Sequence, residues 1–180
     1  MPTPDDLAAI QQALEHHPGA MDRLAQRYLP TVIQWARRLS GPRLVADDVA
    51  HDAWLIVMRK IDSVREPRSF EAWLYGIVRR VVAAHRRRAW FRKWTGQEVH
   101  EDADPGPSPE AHTADAQRVK ILTSALERLR PHHREIIVLC DLEERPDSEV
   151  SELLGVPKGT VKSRLRRARK ELSAHLHALM

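Results

Sequence analysis

Cysteine is nearly absent from the 180 residues: Cys140 stands alone, which excludes an internal disulfide and fits a reducing compartment. Glycine is scarce as well, with 7, and the strong helix-former content beside it favours helices over a sheet. No run approaches the roughly 20 apolar residues that a spanning helix needs, so membrane insertion is not expected. The opening Met1-Pro2-Thr3-Pro4-Asp5-Asp6 has no basic flank leading into an apolar stretch, and the expected location is cytoplasmic. Hydrophobic residues nevertheless make up 42% of the chain, enough for real cores. The length accommodates one ordinary domain or two small ones, and the expected fold class is all-α, with two small helical domains.

The net charge of +4 conceals an uneven distribution. Between Glu71 and Glu98 there is no acid, yet the stretch carries Arg79, Arg80, Arg86, Arg87, Arg88, Arg92 and Lys93. A second all-basic stretch holds Lys158, Lys162, Arg164, Arg166, Arg167, Arg169 and Lys170. Between them, from Glu98 to Asp115, six acids meet no Lys or Arg. Any one such run reads equally well as a solvated helix face. Two runs, each closing a helical domain and joined by an acidic connector, point to two contacts with a polyanion.

The connector, residues 95–115, contains Gly96, Pro105, Gly106, Pro107, Ser108 and Pro109 with few large apolar residues, the composition of a flexible, mostly extended linker. It separates a domain of residues 1–94 from one of 116–180. In the first, Leu7, Ile10 and Leu14 have helical spacing, and a longer pattern runs from Ala20 to Leu39 with Pro30 expected to kink or split it. A third helix is expected from Val45 to Ile61, its acidic first turn suiting the positive helix end. Ser69 is the expected cap of a long helix that is apolar where it starts and basic where it ends. In the second domain Pro131 fits a first helical position, and two shorter helices, Asp147 to Leu154 and about Lys158 to Leu176, flank Gly155-Val156-Pro157.

That last pair has the layout of a helix-turn-helix, with Gly155 free to take the left-handed conformation of the turn. On the second helix Val161, Leu165, Ala168 and Leu172 fall in a narrow arc, so Gly159, Ser163, Arg166, Arg167 and Lys170 point outward. A helix of this kind fits the major groove. Lys158, Thr160, Lys162, Ser163 and Arg166 are candidates for base edges, and Arg164, Arg167, Arg169 and Lys170 for the phosphate backbone.

The string from Leu153 to Arg169, LLGVPKGTVKSRLRRAR, closely resembles the promoter-reading helix-turn-helix of sigma factors, and Leu129-Arg130-Pro131-His132-His133-Arg134-Glu135 resembles the segment one helix earlier. Val45 to Leu55, VADDVAHDAWL, resembles the polymerase-docking helix of that family. Ser69-Phe70-Glu71-Ala72-Trp73-Leu74-Tyr75 with its arginine-rich continuation resembles the promoter-melting helix. Together the matches cover roughly residues 20–92 and 116–176, and the family resembled is that of the extracytoplasmic-function sigma factors within the sigma-70 group.

The resemblance implies a subunit that binds core RNA polymerase, recognises promoter DNA and promotes initiation. It places Asp47, Asp48, His51, Asp52 and Leu55 on the polymerase, and Ser63, Arg65, Arg68, Arg79, Arg80, Arg86 and Arg87 on melted DNA. Phe70 and Trp73 fit the buried stripe better than a stacking role, while Tyr75 fits either. The resemblance also implies an anti-sigma factor as a partner, no cofactor, and no catalysis by the chain itself. The sequence departs from the family pattern at His51, Arg80 and Ala84, where glutamine, asparagine and an acid are usual, and at Arg145-Pro146-Asp147, where Asp147 is expected to assist as cap.

Four rival readings have less support. His133 and Cys140 share a helix face, but two ligands do not close a tetrahedral metal site even with His132 adjacent. Asp47, Asp48 and Asp52 lie in a helix first turn without a pocket signature, which disfavours a carboxylate hydrolase. A stand-alone helix-turn-helix regulator would use the second domain on DNA and the first for dimerisation or sensing, whereas a scaffold mimicking a sigma domain would not need both basic surfaces.

Overall fold

The computed structural model describes residues 2–40, 46–95 and 114–179, and within these all regular structure is helical. The elements are α1 (Pro4–Leu14), α2 (Ala20–Ser40), α3 (Ala46–Lys60), α4 (Phe70–Trp94), α5 (Ala114–Arg128), α6 (Pro131–Ile137), α7 (Asp147–Leu154) and α8 (Lys158–His177). They gather into two compact units, the first built mainly on α1–α4 and the second on α5–α8.

The first unit opens with a reciprocal cap: the Thr3 hydroxyl accepts from the Asp6 N–H, and the Asp6 carboxylate accepts from the Thr3 N–H at 2.7 Å. The periodic set Leu24, Tyr28, Val32 and Trp35 of α2 is buried as its spacing predicts. Of the two outcomes expected at Pro30, a split does not occur: α2 runs through it as one helix. Pro30 is exposed, so the carbonyl it frees is not trapped in the core, while the buried set on either side of it holds the helix together. The rings of α2 meet those of α4 edge to face, Tyr28 on Phe70 at 5.0 Å and Trp35 on Tyr75 at 4.9 Å between centroids.

The fully buried side chains of α4 lie in its first half, among the described residues. Phe70, Leu74, Tyr75, Ile77, Val78, Val81 and Val82 are buried, and α3 packs on α4 as far along as His85. Beyond Val82 none of the described side chains of α4 is buried. Ser69 does not cap the helix. It sits in a single 3-10 turn, Pro67–Ser69, and its hydroxyl donates back to the Glu66 carbonyl at 2.7 Å.

Of the expected connector 95–115, residues 96–113 lie outside the described residues, and Ala114 and Asp115 belong to α5. In the second unit Pro131 opens α6, which continues into a π-helical turn, Val138–Leu142. Ile136, Ile137, Val138, Leu139, Val150, Val161 and Ala168 form the core. Arg134 is buried there, 2% exposed, and donates to the carbonyls of Leu126 at 2.7 Å and Glu127 at 2.5 Å. Its stem packs while its charge is taken up by the end of α5, where carbonyls lack helical partners. Glu171 of α8 ties down the start of α6: its carboxylate lies 2.5 Å from His133 Nδ1 and accepts from the Arg130 backbone N–H at 3.2 Å.

Candidate nucleic-acid interface

The turn between α7 and α8 is closed by Gly155, whose φ of +63° and ψ of +36° are left-handed. Its N–H reaches the Glu152 carbonyl at 3.2 Å, the Val156 N–H reaches the Ser151 carbonyl at 3.1 Å, and the Ser151 hydroxyl donates to the Val156 carbonyl at 2.7 Å. Asp147 is the first residue of α7, not its cap; Pro146 holds the cap position with no side-chain bond. These bonds fix where α8 starts, and its buried Val161 and Ala168 fix its rotation. Lys158, Gly159, Lys162, Arg166, Arg167, Arg169 and Lys170 are consequently exposed, while Thr160, Ser163 and Arg164 are half-buried.

The outward cations are not equivalent. Arg169 makes a bidentate pair with Asp141, at 3.1 Å from Nε and 2.5 Å from the terminal nitrogen. The hydrogen bonds to Asp141 raise the Arg169 pKa, and the carboxylate offsets its charge in place. Lys162 lies 4.0 Å from Asp147. The Ser163 hydroxyl donates to the Thr160 carbonyl at 3.1 Å, so part of its bonding capacity is used within α8.

In the first unit, Ser63, Arg65 and Arg68 are exposed on the loop before α4, which is pinned by buried Val64. Ser63 is part of that pinning: its hydroxyl donates to the Lys60 carbonyl at 2.7 Å and accepts from Trp73 Nε1 at 3.1 Å. Phe70 and Tyr75 are 0% exposed, which removes both as stacking surfaces; Trp73 is half-buried. Farther along α4, Arg79, Arg80 and Arg87 are exposed and Arg86 is half-buried, with Arg80 Nε donating to the Gly76 carbonyl at 3.0 Å.

On α3, Asp47, Asp48 and His51 are exposed, whereas Asp52 and Leu55 are half-buried. The latter two line a groove of about 290 Å³ between α3 and α4, with Ile56, Arg59 and Arg80. Across it, Asp52 Oδ2 lies 2.8 Å from Nε2 of His85 on α4. This tie and the Asp141–Arg169 pair join residues 33 and 28 positions apart, and no local sequence signal announces either.

Sequence reasoning also missed the outer end of α4. At 100° per residue, Arg79, Arg80, Arg86 and Arg87 share an arc of about 140° with Trp90, Phe91 and Trp94. The three aromatic side chains are 67%, 56% and 73% exposed. The helical phase of those residues was the available signal, and the arginine run obscured it.

A helical bundle with one cationic helix face, followed by a helix-turn-helix with a second, defines a two-unit helical nucleic-acid-binding protein. The sigma-70 region 2 family matches residues 24–92, and the sigma-70 region 4 family matches residues 120–172. The RNA polymerase sigma factor NccH of Alcaligenes xylosoxydans xylosoxydans is 30% identical, over 96% of this chain and 95% of its own length. The extracytoplasmic-function (ECF) sigma factor SigE of Mycolicibacterium smegmatis is 33% identical over 86% of this chain, which spans only 61% of SigE. The sigma factor CnrH, solved in complex with the cytosolic domain of CnrY, superposes with a TM-score of 0.68 at 26% identity, covering 96% of this chain and 97% of CnrH. The chain belongs to the sigma-70 family of RNA polymerase sigma factors, in its extracytoplasmic-function group.

Proposed function

We propose that this chain binds core RNA polymerase, directs it to promoters and helps to open them. The observation that carries this reading is the order of the two family matches along the chain, each falling on a unit that presents its own cationic helix face. Residues 1–94 serve polymerase docking and promoter melting, residues 95–115 connect, and residues 116–180 read duplex DNA.

In the second unit, Lys158, Thr160, Lys162, Ser163 and Arg166 face base edges of the major groove, with Arg164, Arg167, Arg169 and Lys170 along the phosphates. Arg169 serves from within its pair with Asp141, so its contact with phosphate is weaker than that of Arg167. In the first unit, Asp47, Asp48, His51, Asp52 and Leu55 meet a basic partner surface on the polymerase. The loop Ser63 to Arg68 holds an unstacked base, and Arg79, Arg80, Arg86 and Arg87 hold the displaced strand.

The role needs no covalent chemistry and no cofactor from this chain: opening costs unpairing and unstacking, and strand binding offsets that cost. It places the protein in the cytoplasm, and no described helix is long and apolar enough to cross a membrane. An anti-sigma protein is the expected regulator; CnrH, similar over nearly the whole chain, is known with a protein partner, the cytosolic domain of CnrY.

In vitro transcription with purified core enzyme tests the reading. Promoter-specific transcripts that appear only with the chain present are the expected result. The alternative, a stand-alone helix-turn-helix regulator, predicts specific binding to duplex sites without polymerase and no dependence of initiation on the chain.

A further inference from the structure

The last three turns of α4 hold an aromatic surface that is not packed into the core of the described residues. Trp90 and Trp94 lie with ring centroids 6.4 Å apart and planes within 7° of parallel, and Phe91 adds a third ring 6.1 Å from Trp94. All three are more than half exposed, and the core has already ended at Val82. A contiguous apolar patch left in water beyond the reach of any core is the mark of a binding surface.

Its chemistry narrows the partner. The rings continue the helix face that carries Arg79, Arg80, Arg86 and Arg87, and no acid occurs between Glu71 and Glu98. An apolar protein partner would be served by the rings alone, and an anionic surface by the arginines alone. A duplex offers phosphates but keeps its base faces inside the stack. Single-stranded DNA offers both at once, anionic phosphates and free π-faces, and guanidinium rows with interleaved aromatic rings are how such strands are held.

We propose that Trp90, Phe91 and Trp94 form a stacking platform for bases of the single-stranded DNA produced at the opened promoter. The proposal rests on the reading of the chain as a promoter-opening subunit, which supplies the strand. It is a contact distinct from the loop Ser63 to Arg68: twenty helical residues separate Phe70 from Trp90, a rise of about 30 Å, so the two ends of α4 address different nucleotides.

The test uses holoenzyme assembled with the full chain and a promoter fragment carrying a pre-opened bubble, with affinity read by fluorescence anisotropy. Trp90→Leu/Trp94→Leu keeps an apolar surface but removes the large stacking faces, whereas Trp90→Phe/Trp94→Phe keeps them in smaller form. The Leu pair should loosen bubble binding at least about fivefold while polymerase affinity is unchanged, and the Phe pair should stay within about twofold of wild type. Equal bubble binding by wild type and the Leu pair overturns the proposal, as does equal behaviour of the Leu and Phe pairs. A parallel loss of polymerase affinity also overturns it by giving the patch to the enzyme. If wild type forms no promoter complex at all, it is the underlying reading that fails.

The platform is then decided on the free chain by titration with a thymidine oligonucleotide, read by tryptophan fluorescence. Saturable quenching that the Leu pair loses upholds it, and absence of quenching overturns it. Quenching by vesicles of phosphatidylcholine and phosphatidylglycerol, but not by the oligonucleotide, overturns it in favour of a lipid surface. Both rings are exposed, so the variants should fold, and Trp94→Leu alone is the milder second variant.

Discussion

Cys140 sits half-buried in the π-helical turn, where burial and then the nearby carboxylates of Asp147 and Asp141 push its thiol up to about 11 from an ordinary 9.0. At pH 8 it holds about a hundredth of the thiolate of an unperturbed thiol. Alkylation by iodoacetamide should accordingly be slow in the native protein and accelerate as pH rises toward 11; rapid labelling at pH 8 would contradict the assigned environment. Among the arginines of α8, Arg166 is exposed and bears the base-reading assignment. Arg166→Ala should lower affinity by about 1–3 kcal/mol at promoters bearing its preferred base and much less at others. Gel-shift titrations of holoenzyme across a set of upstream elements check this, and a uniform loss would make Arg166 a phosphate contact.

At the scale of elements, α8 is held to the start of α6 by Glu171. Burial opposes its ionisation, but the hydrogen bonds from His133 and the Arg130 N–H and the nearby positive charge outweigh this and lower its pKa from 4.5. A carboxyl lowered on folding contributes stability that is complete above its unfolded pKa and is lost as pH falls through the folded one. Glu171→Gln should therefore cost the second unit about 2 kcal/mol at neutral pH and flatten its decline below pH 4.5, measured by urea unfolding across pH. The helices themselves were largely legible in the sequence, because buried sets such as Val161 and Ala168 announce themselves by spacing. Ser69 and Asp147 do not cap, and Pro30 does not split its helix, for one reason: each has a local preference that the surrounding packing or turn overrides. Of the residues the period of α8 turns outward, Gly159, Arg166, Arg167 and Lys170 are exposed and Ser163 is half-buried, whereas the long-range partners of Asp52 and Arg169 had no local signal.

For the whole molecule, polymerase docking is best tested away from Asp52, since that side chain is tied to His85 and its reversal would also disturb the α3–α4 groove. Asp47 and Asp48 are exposed on the first turn of α3. Asp47→Lys/Asp48→Lys should weaken binding to core polymerase about tenfold or more, as seen by surface plasmon resonance, with the helical circular dichroism signal retained. Undiminished binding would move the docking surface elsewhere. The two-unit plan was readable from the Pro- and Gly-rich acidic connector and the basic stretch that closes each side of it, because both are local features of composition. The aromatic end of α4 was not, since its meaning depends on knowing where the core stops.

That stopping point at Val82 has one more consequence. Past the His85 tie that follows it, the pitch of the helix keeps the tryptophans in line with the arginines behind them, so orientation there is set by residue count and not by burial. One extra alanine inserted just after Arg87 would turn the indoles by about 100° relative to those arginines while leaving every buried contact intact. Spacing along this overhang is thus open to selection independently of the stability of the bundle that carries it.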